Sequence, residues 1–417
     1  MKSPFGWCLI LAGLMANENG IAVAQINAPS FGLSDPITIL EPETGFRFQA
    51  DALAWTRNSP HNGSPVISGP ESFSQNGIGN NGYVGGYRLG VGYLIDPNYE
   101  VEAVWTQFSN WNANGGGVLS HAIAFNGGQA DPLVDPTGNA NFINTGTYFR
   151  SLFDAASDTL GNPPLKNYAF LNPGSTYAMH TSSNLSDFQA NFKTRRSESQ
   201  RFSFGVGYRN IRLGDNAAVV VTGTFGTNDI PGGGTTNNNL TDQALTSHGL
   251  TLISGPADGF TNPGALPATT LAMAWNGTAQ NQMNGLQGTM DATLAEWGIF
   301  TLEGLARAGL FYNQITGHVQ EVYAASGADE SVYGRTLIDK RDVLSFGGNL
   351  GLNGVFQLGS RVKLRTGYEA MVVTNTATAA DQQQGLTYNS LGQASYAVKG
   401  GSTVILHGAR IGLEFVW

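Results

Sequence analysis

Hydrophobic and polar residues alternate along about ten stretches of this chain, a number typical of a small membrane barrel. The alternation is clearest in the last stretch, from His407 to Trp417. Side chains of a strand point alternately to its two faces, so this stretch has one apolar face and one face of glycine and charge. The apolar face consists of Ala409, Ile411, Leu413, Phe415 and Trp417. Bacterial outer-membrane barrels end on a strand with an outward aromatic residue, so we interpret this face as the signal for the barrel-assembly machinery.

The same alternation predicts the earlier strands and the links between them. The predicted strands are Gly45–Thr56, Tyr87–Tyr93, Tyr99–Trp105, Phe188–Lys193, Phe202–Tyr208, Gln280–Leu294, Leu302–Asn313, Leu344–Gln357, Val362–Val372 and His407–Trp417. Short, turn-like links follow the even-numbered strands, and long polar links follow the odd-numbered ones. The two longest links are predicted as loops at residues 110–183 and 214–279, and a medium loop is predicted at Thr316–Arg341.

This order of links predicts an all-β fold, an antiparallel transmembrane β-barrel of about 10 strands. Such barrels have an even strand number, short periplasmic turns and long extracellular loops. The barrel must close, because an unpaired strand edge in lipid leaves backbone groups without partners at several kcal/mol each. The alternative is a barrel of about twelve strands, in which Ala217–Phe225 and a partner form an additional pair.

The polar faces of the strands are predicted to line the interior. Placing them outward would cost roughly 2–4 kcal/mol for each Arg or Lys at the middle of the bilayer. The charged residues on these faces include Arg47, Asp51, Arg88, Glu100, Glu102, Arg209, Glu303, Arg307, Arg365, Glu369, Arg410 and Glu414. They form either a charged constriction that selects solutes or a paired ladder that fills a narrow lumen and fixes the register. Because basic residues slightly outnumber acidic ones in our assignment, we expect any pore to be narrow and weakly anion-preferring.

The N-terminal residues predict export from the cytoplasm. Lys2 precedes an apolar run, and Ala22-Val23-Ala24 has the small residues of a cleavage site. We therefore expect a signal peptide at residues 1–24, cleaved near Ala24, and a proline-containing periplasmic tail at 25–44. The barrel would occupy residues 45–417 and lie in the outer membrane of a Gram-negative cell envelope.

Composition narrows the class of protein further. Only 12% of the residues are charged, whereas about a quarter are charged in typical soluble domains. The formal net charge of -9 argues against a nucleic-acid partner. We therefore expect the partners to be outer-membrane lipid and the barrel-assembly machinery.

No motif points to catalysis, a cofactor or a metal, so we expect a protein that is not an enzyme. The segment Gly77–Gly82 matches a dinucleotide fingerprint, but it leads into a predicted strand instead of a helix. The histidines are scattered, with no pair at metal-ligand spacing. A hydrolase at the barrel rim would need clustered side chains such as Asp215, His318 and Asp342, which nothing in the sequence links.

Several segments, taken in order, resemble the planctomycete-type outer-membrane β-barrels called the BBP-seven family. The matching segments are Gly86–Asp96, Phe204–Leu213, Asn281–Gly288, Arg365–Glu369 with Ala380–Gln382 downstream, and His407–Phe415. They are spread from the second predicted strand to the last and leave the long loops out. The resemblance implies an outer-membrane location and a barrel architecture, and it implies no catalytic residues.

These observations support two main hypotheses of function. The first is an integral outer-membrane barrel that serves as a porin-like protein or a structural envelope component, with a narrow passive channel as one form. The second is a surface recognition or adhesion protein that uses the barrel as an anchor for its loops. A soluble secreted β-sandwich is a third and weaker alternative. The sequence leaves the solute, the state of any pore and the oligomeric state open.

Overall fold

The computed structural model describes most of the predicted barrel. It covers residues 45–58, 82–120, 173–195, 201–226, 242–257, 270–326, 330–388 and 393–417, with a few short strand pieces between these ranges. The predicted signal peptide, periplasmic tail and dinucleotide-like segment lie outside the described residues.

Ten antiparallel strands form the wall of the barrel. They are β1 (Gly45–Arg57), β2 (Val84–Leu94), β3 (Tyr99–Phe108, continued by Trp111–Val118), β4 (Thr176–Thr194), β5 (Phe202–Gly226), β6 (Thr270–Trp297), β7 (Phe300–Ser326), β8 (Val332–Gln357), β9 (Val362–Thr376) and β10 (Ser402–Val416). Each strand pairs with the next along the chain, and β10 pairs with β1 in the register Phe48 to Phe415. The sheet is therefore closed, and the predicted antiparallel barrel of about ten strands is confirmed.

Strands β4 to β8 are longer than the sequence analysis predicted. The predicted loop at 110–183 contains the second segment of β3 and the first part of β4, and the predicted loop at 214–279 contains the ends of β5 and β6. Most of the predicted loop Thr316–Arg341 likewise belongs to β7 and β8. Ala217–Phe225 continues β5 beside the first residues of β6, so the additional strand pair of the twelve-strand alternative does not form there.

The parts of the strands that were predicted as loops keep a period of two. Their apolar side chains point into the barrel, whereas those of the predicted strands point outward. In the first half of β6, Leu271, Met273 and Trp275 point inward and are fully buried, whereas Asn276 and Thr278 lie on the outer face. A wall with a buried apolar side and a polar outer side is typical of a sheet that faces water. These extensions therefore lie beyond the lipid-facing part of the barrel.

The outer face of the remaining wall is an apolar band. Large aliphatic and aromatic side chains on it are about half exposed, as Leu350, Leu352 and Phe415 illustrate. Eight aromatic residues near the strand ends are exposed on this face: Tyr87, Tyr93, Tyr99, Trp105, Tyr208, Tyr312, Tyr368 and Trp417. Aromatic residues at the borders of an apolar band are characteristic of transmembrane barrels.

The short turns lie together at one end of the barrel. In the turn between β2 and β3, Asp96 Oδ1 accepts hydrogen bonds from the backbone N–H groups of Asn98 and Tyr99. The turn between β6 and β7 uses Gly298 at a φ of 57°, which favours glycine. No helix among the described residues is long and apolar enough to cross a membrane.

Candidate functional site

The interior at the short-turn end of the barrel is charged. The predicted interior residues Asp51, Arg88, Glu100, Glu102, Arg209, Glu369, Arg410 and Glu414 are buried there, and Arg47, Glu303, Arg307 and Arg365 are partly buried. Their inward orientation follows from the strand period, since the apolar neighbours of each residue face lipid. This region is the place where a selective constriction would have to lie.

One group of these charges, near the short turns, connects β1, β3, β4 and β6 by ion pairs. Arg47 lies 3.1 Å from Glu100 and 3.0 Å from Glu102. Lys193 of β4 lies 2.9 Å from Glu102 and 2.9 Å from Asp291. Lys193 and Asp291 both lie on the polar faces of their strands, which the sequence analysis predicts to line the interior.

A second group crosses the interior from β2 to β9 and β10. Arg88 lies 2.8 Å from Glu369, and Arg410 lies 3.5 Å from Asp51. Arg365 pairs with Glu303 at 3.1 Å and also with Glu414. If one charge of such a buried pair is removed, the other charge remains buried without a counter-charge.

A third pair lies closer to the middle of the barrel. Arg209 donates to both oxygens of Asp187, at 2.8 and 2.9 Å, and to Asn349 Oδ1 at 2.8 Å. Asp187 and Asp215, which the sequence analysis did not place inside, are both buried. Asp187 adds one carboxylate to the interior, whereas the charge of Asp215 is balanced by the buried Arg57, with which it pairs.

Little free space remains among these side chains. The cavity between them, lined by residues that include Arg47, Lys193, Arg307 and Arg410, has a volume of about 40 Å³. Such a volume holds about one water molecule. Of the two interpretations of the interior charges, the contacts favour the paired ladder that fills the lumen.

An apolar layer lies above the charges and crosses the lumen. It contains Leu53, Trp55, Phe108, Trp111, Leu185, Ile211, Leu213, Met283, Phe311, Met371, Val373, Val404 and Leu406. The glycines of the wall leave room for the large rings: a Cβ at Gly309 would lie 2.8 Å from Phe311 Cζ, and one at Gly347 would lie 2.9 Å from Phe311 Cε2. A packed layer of this kind excludes water and ions from the lumen.

The sequence analysis missed this layer, although a signal for it was present. Leu53 and Trp55 share the parity of Arg47 and Asp51, which places them on the interior face of β1. Apolar side chains with interior parity indicate a filled lumen, because a water-filled one would be lined by polar side chains.

Residues 377–388 and 393–401, between β9 and β10, lie at the opposite end of the barrel and are called the plug below. Asn281 of β6 binds both backbone groups of Ala377: its Oδ1 accepts the N–H at 2.8 Å and its Nδ2 donates to the carbonyl at 2.8 Å. Asp215 Oδ2 accepts the N–H of Ala379 at 3.0 Å, and Asp339 Oδ2 accepts that of Val398 at 2.9 Å. Side chains from three barrel strands therefore hold the plug in place.

The plug also has internal order. Its 3-10 helix, Ala380–Gly385, carries Gln382, whose Nε2 donates to Thr378 and Lys399 carbonyls and whose Oε1 accepts the Tyr396 hydroxyl at 2.6 Å. Burial and the nearby Asp339 carboxylate raise the pKa of Tyr396, so the hydroxyl stays a donor at neutral pH. Ala379 and Leu386 of the plug pack with Trp275, Tyr323 and Tyr333 in a second apolar cluster above the first.

The residues considered for a hydrolase are not brought together. Asp215 is buried inside the barrel, where it pairs with Arg57 at 3.1 Å. His318 and Asp342 have the parity of the outer face on β7 and β8. Within the described residues, no group of three or more His, Cys, Asp or Glu side chains could hold a metal ion.

Neither a scan against protein-family models nor a search of curated proteins finds a match for this chain. Similar solved structures include the outer membrane protease OmpT from Escherichia coli, at 9% identity over 91% of this chain and 99% of that chain, with a TM-score of 0.38. A FadL homologue from Pseudomonas aeruginosa is similar at 8% identity over 89% of this chain and 90% of its own, with a TM-score of 0.26. An anion-selective porin from Comamonas acidovorans is similar at 10% identity over 90% of this chain and all of its own, with a TM-score of 0.19. These identities and TM-scores are low, so the evidence for the barrel fold is the strand pairing described above.

Proposed function

We propose that this chain is an integral outer-membrane protein whose barrel is a closed anchor and not a channel. The observation that carries the proposal is the apolar layer across the lumen, backed on one side by paired charges and on the other by the plug. The packing of the apolar layer disfavours the porin-like form of the first hypothesis. A structural role in the envelope remains, and no catalytic residue is required for it.

Planar-bilayer recording on the refolded, full-length mature chain tests this proposal. Heat-modifiable mobility on gels first establishes that the barrel is folded. The expected result is no stepwise conductance at moderate voltage and salt. Discrete and reproducible conductance steps would show an open path and would remove the closed-anchor proposal.

The proposal includes export and assembly. We infer that the signal peptide is cleaved near Ala24 and that the face ending in Trp417 is read by the barrel-assembly machinery. N-terminal sequencing of protein from purified outer membranes should give a chain beginning at Gln25. We also propose that the chain belongs to the BBP-seven family, on the strength of the segments quoted above.

A second candidate function is recognition at the cell surface. It is favoured by the strand extensions of β5 to β8, which continue past the apolar band and enclose an apolar core with the plug. A short helix, Asp242–Ser247, joins this region, where Tyr333 donates to Asp242 Oδ1 at 2.8 Å. Ordered structure beyond the membrane suits a binding platform. Proteolysis of intact cells tests whether this region is outside. Resistance in intact cells, with cleavage only after the outer membrane is permeabilised, would contradict this function.

A further inference from the structure

The apolar band ends at rows of polar side chains on the wall formed by β3 to β6, called the polar border below. On β5 and β6 the last apolar row of the band pairs Tyr208 with Leu286. The next row, farther from the short turns, pairs Asn210 with Asn284. The row after that pairs Arg212 with Gln282. On β10 the outer face likewise becomes polar, at His407 beyond Ala409. On the β3 to β6 wall the polar border of the band begins at Asn210 and Asn284.

A shallow, open groove lies at this polar border, on the outside of the barrel. Its floor is a row of hydrogen-bonded side chains. Tyr208 and Asn210 both donate to Asn284 Oδ1, at 2.6 and 2.7 Å, which leaves the amide N–H groups of Asn284 for a ligand. Trp105 and Phe188 form the apolar margin of the groove.

The groove offers donors and one positive charge. Arg212 and Gln282 are exposed, and neither forms an ion pair or hydrogen bond with a residue that the structure describes. Arg212 lies above the aromatic border, where a guanidinium meets headgroups instead of acyl chains. A guanidinium beside amides complements a phosphate carried on a sugar.

We propose that this groove binds the headgroup of a phosphorylated, acylated disaccharide of the outer leaflet. Arg212 contacts the phosphate, the amides of Gln282 and Asn284 contact sugar hydroxyls, and the acyl chains lie along the apolar band beside Phe188. This inference rests on the proposed membrane location and adds a specific lipid partner to it. An anionic phospholipid lacks the sugar and would use Arg212 alone.

Native mass spectrometry of the refolded full-length mature chain in detergent tests the inference. The probes are a synthetic diphosphorylated acylated disaccharide, its dephosphorylated form and phosphatidylglycerol. The expected order of affinity places the diphosphorylated disaccharide first. Arg212→Gln should lower its affinity about tenfold or more, since one charge-assisted contact is lost. Asn284→Leu, which extends the apolar band by one row, should lower it several-fold.

Lys340→Gln is the matched control, because Lys340 is an exposed cation on the outer face of β8, away from the groove. It should leave the affinity unchanged. Equal binding of all three lipids, equal loss in Lys340→Gln, or dimers that Arg212→Gln dissociates would overturn the inference. Heat-modifiable mobility of every variant separates this outcome from failure of the membrane-barrel proposal, which would appear as an unfolded or water-soluble chain.

Discussion

Phe311 should be a main contributor to the stability of the closed barrel. Its ring is fully buried in the apolar layer and lies directly against Gly309 of its own strand and Gly347 of β8. Replacing Phe311 with Ala leaves a cavity that the hydrogen-bonded wall cannot fill by collapse. The expected loss of unfolding free energy is therefore in the range of about 3–5 kcal/mol for a buried Phe→Ala change. With a urea m-value of about 2 kcal/mol per molar, the midpoint falls by about 1.5–2.5 M.

The assay is reversible urea unfolding of the protein in lipid vesicles, followed by tryptophan fluorescence and gel mobility. Phe311→Leu is the matched control and should cost less than about 1.5 kcal/mol, because most of the volume is kept. Gly347→Ala should itself cost about 1–3 kcal/mol by overpacking against the ring.

The two sites should also be coupled. In the double variant, the Cβ added at Gly347 occupies space vacated by the ring of Phe311, so the double variant should be less destabilised than the sum of the single ones. A coupling of about 0.5–3 kcal/mol is expected for residues in contact. Two results would show that the lumen is not packed as described. One is that Phe311→Ala lowers the unfolding free energy no more than Phe311→Leu, and the other is that the effects of the two single variants simply add in the double variant.

Two further changes test the lipid face and the plug. Leu413→Arg places a charge on the lipid-facing side of β10 and should cost roughly 2–4 kcal/mol near mid-bilayer, which reduces the amount of heat-modifiable barrel in outer membranes. Val416→Thr, on the interior face, should be tolerated, and equal amounts of both variants would contradict the assigned faces. Asn281→Ala should leave two backbone groups of the plug without partners, at about 1–3 kcal/mol each, and hydrogen exchange should then quicken in residues 377–385. Gln280→Ala, on the outer face of the same strand, should leave exchange unchanged, and an equal effect of both changes would exclude the anchoring role.

The strands in the lipid-facing part of the barrel could be predicted because the bilayer imposes one rule on all of them. Every outward residue must be apolar there, so Leu413 and Phe415 alternate visibly with Arg410 and Glu414. Beyond the bilayer this rule ends. On β6, Met273 and Trp275 turn inward while Asn276 faces out, and the pattern resembles a water-facing sheet.

The plug and the ion-pair partners could not be predicted from local pattern. Asn281 and Ala377 are separated by 96 residues, and Arg209 and Asn349 by 140. Such contacts depend on the tilt and stagger of the strands, which the sequence does not specify residue by residue. The filled lumen was more accessible to prediction, since Leu53 and Trp55 have interior parity on β1.

The pairing of β1 with β10 constrains how the chain acquires its structure. Asp51 and Arg410, which interact across this seam, are 359 residues apart. One edge of the first strand therefore stays unpaired until the last strand is in place. Closure at such a long sequence separation is slow. Any form of the chain that lacks the last strand keeps this edge exposed, and an exposed edge favours aggregation with other chains.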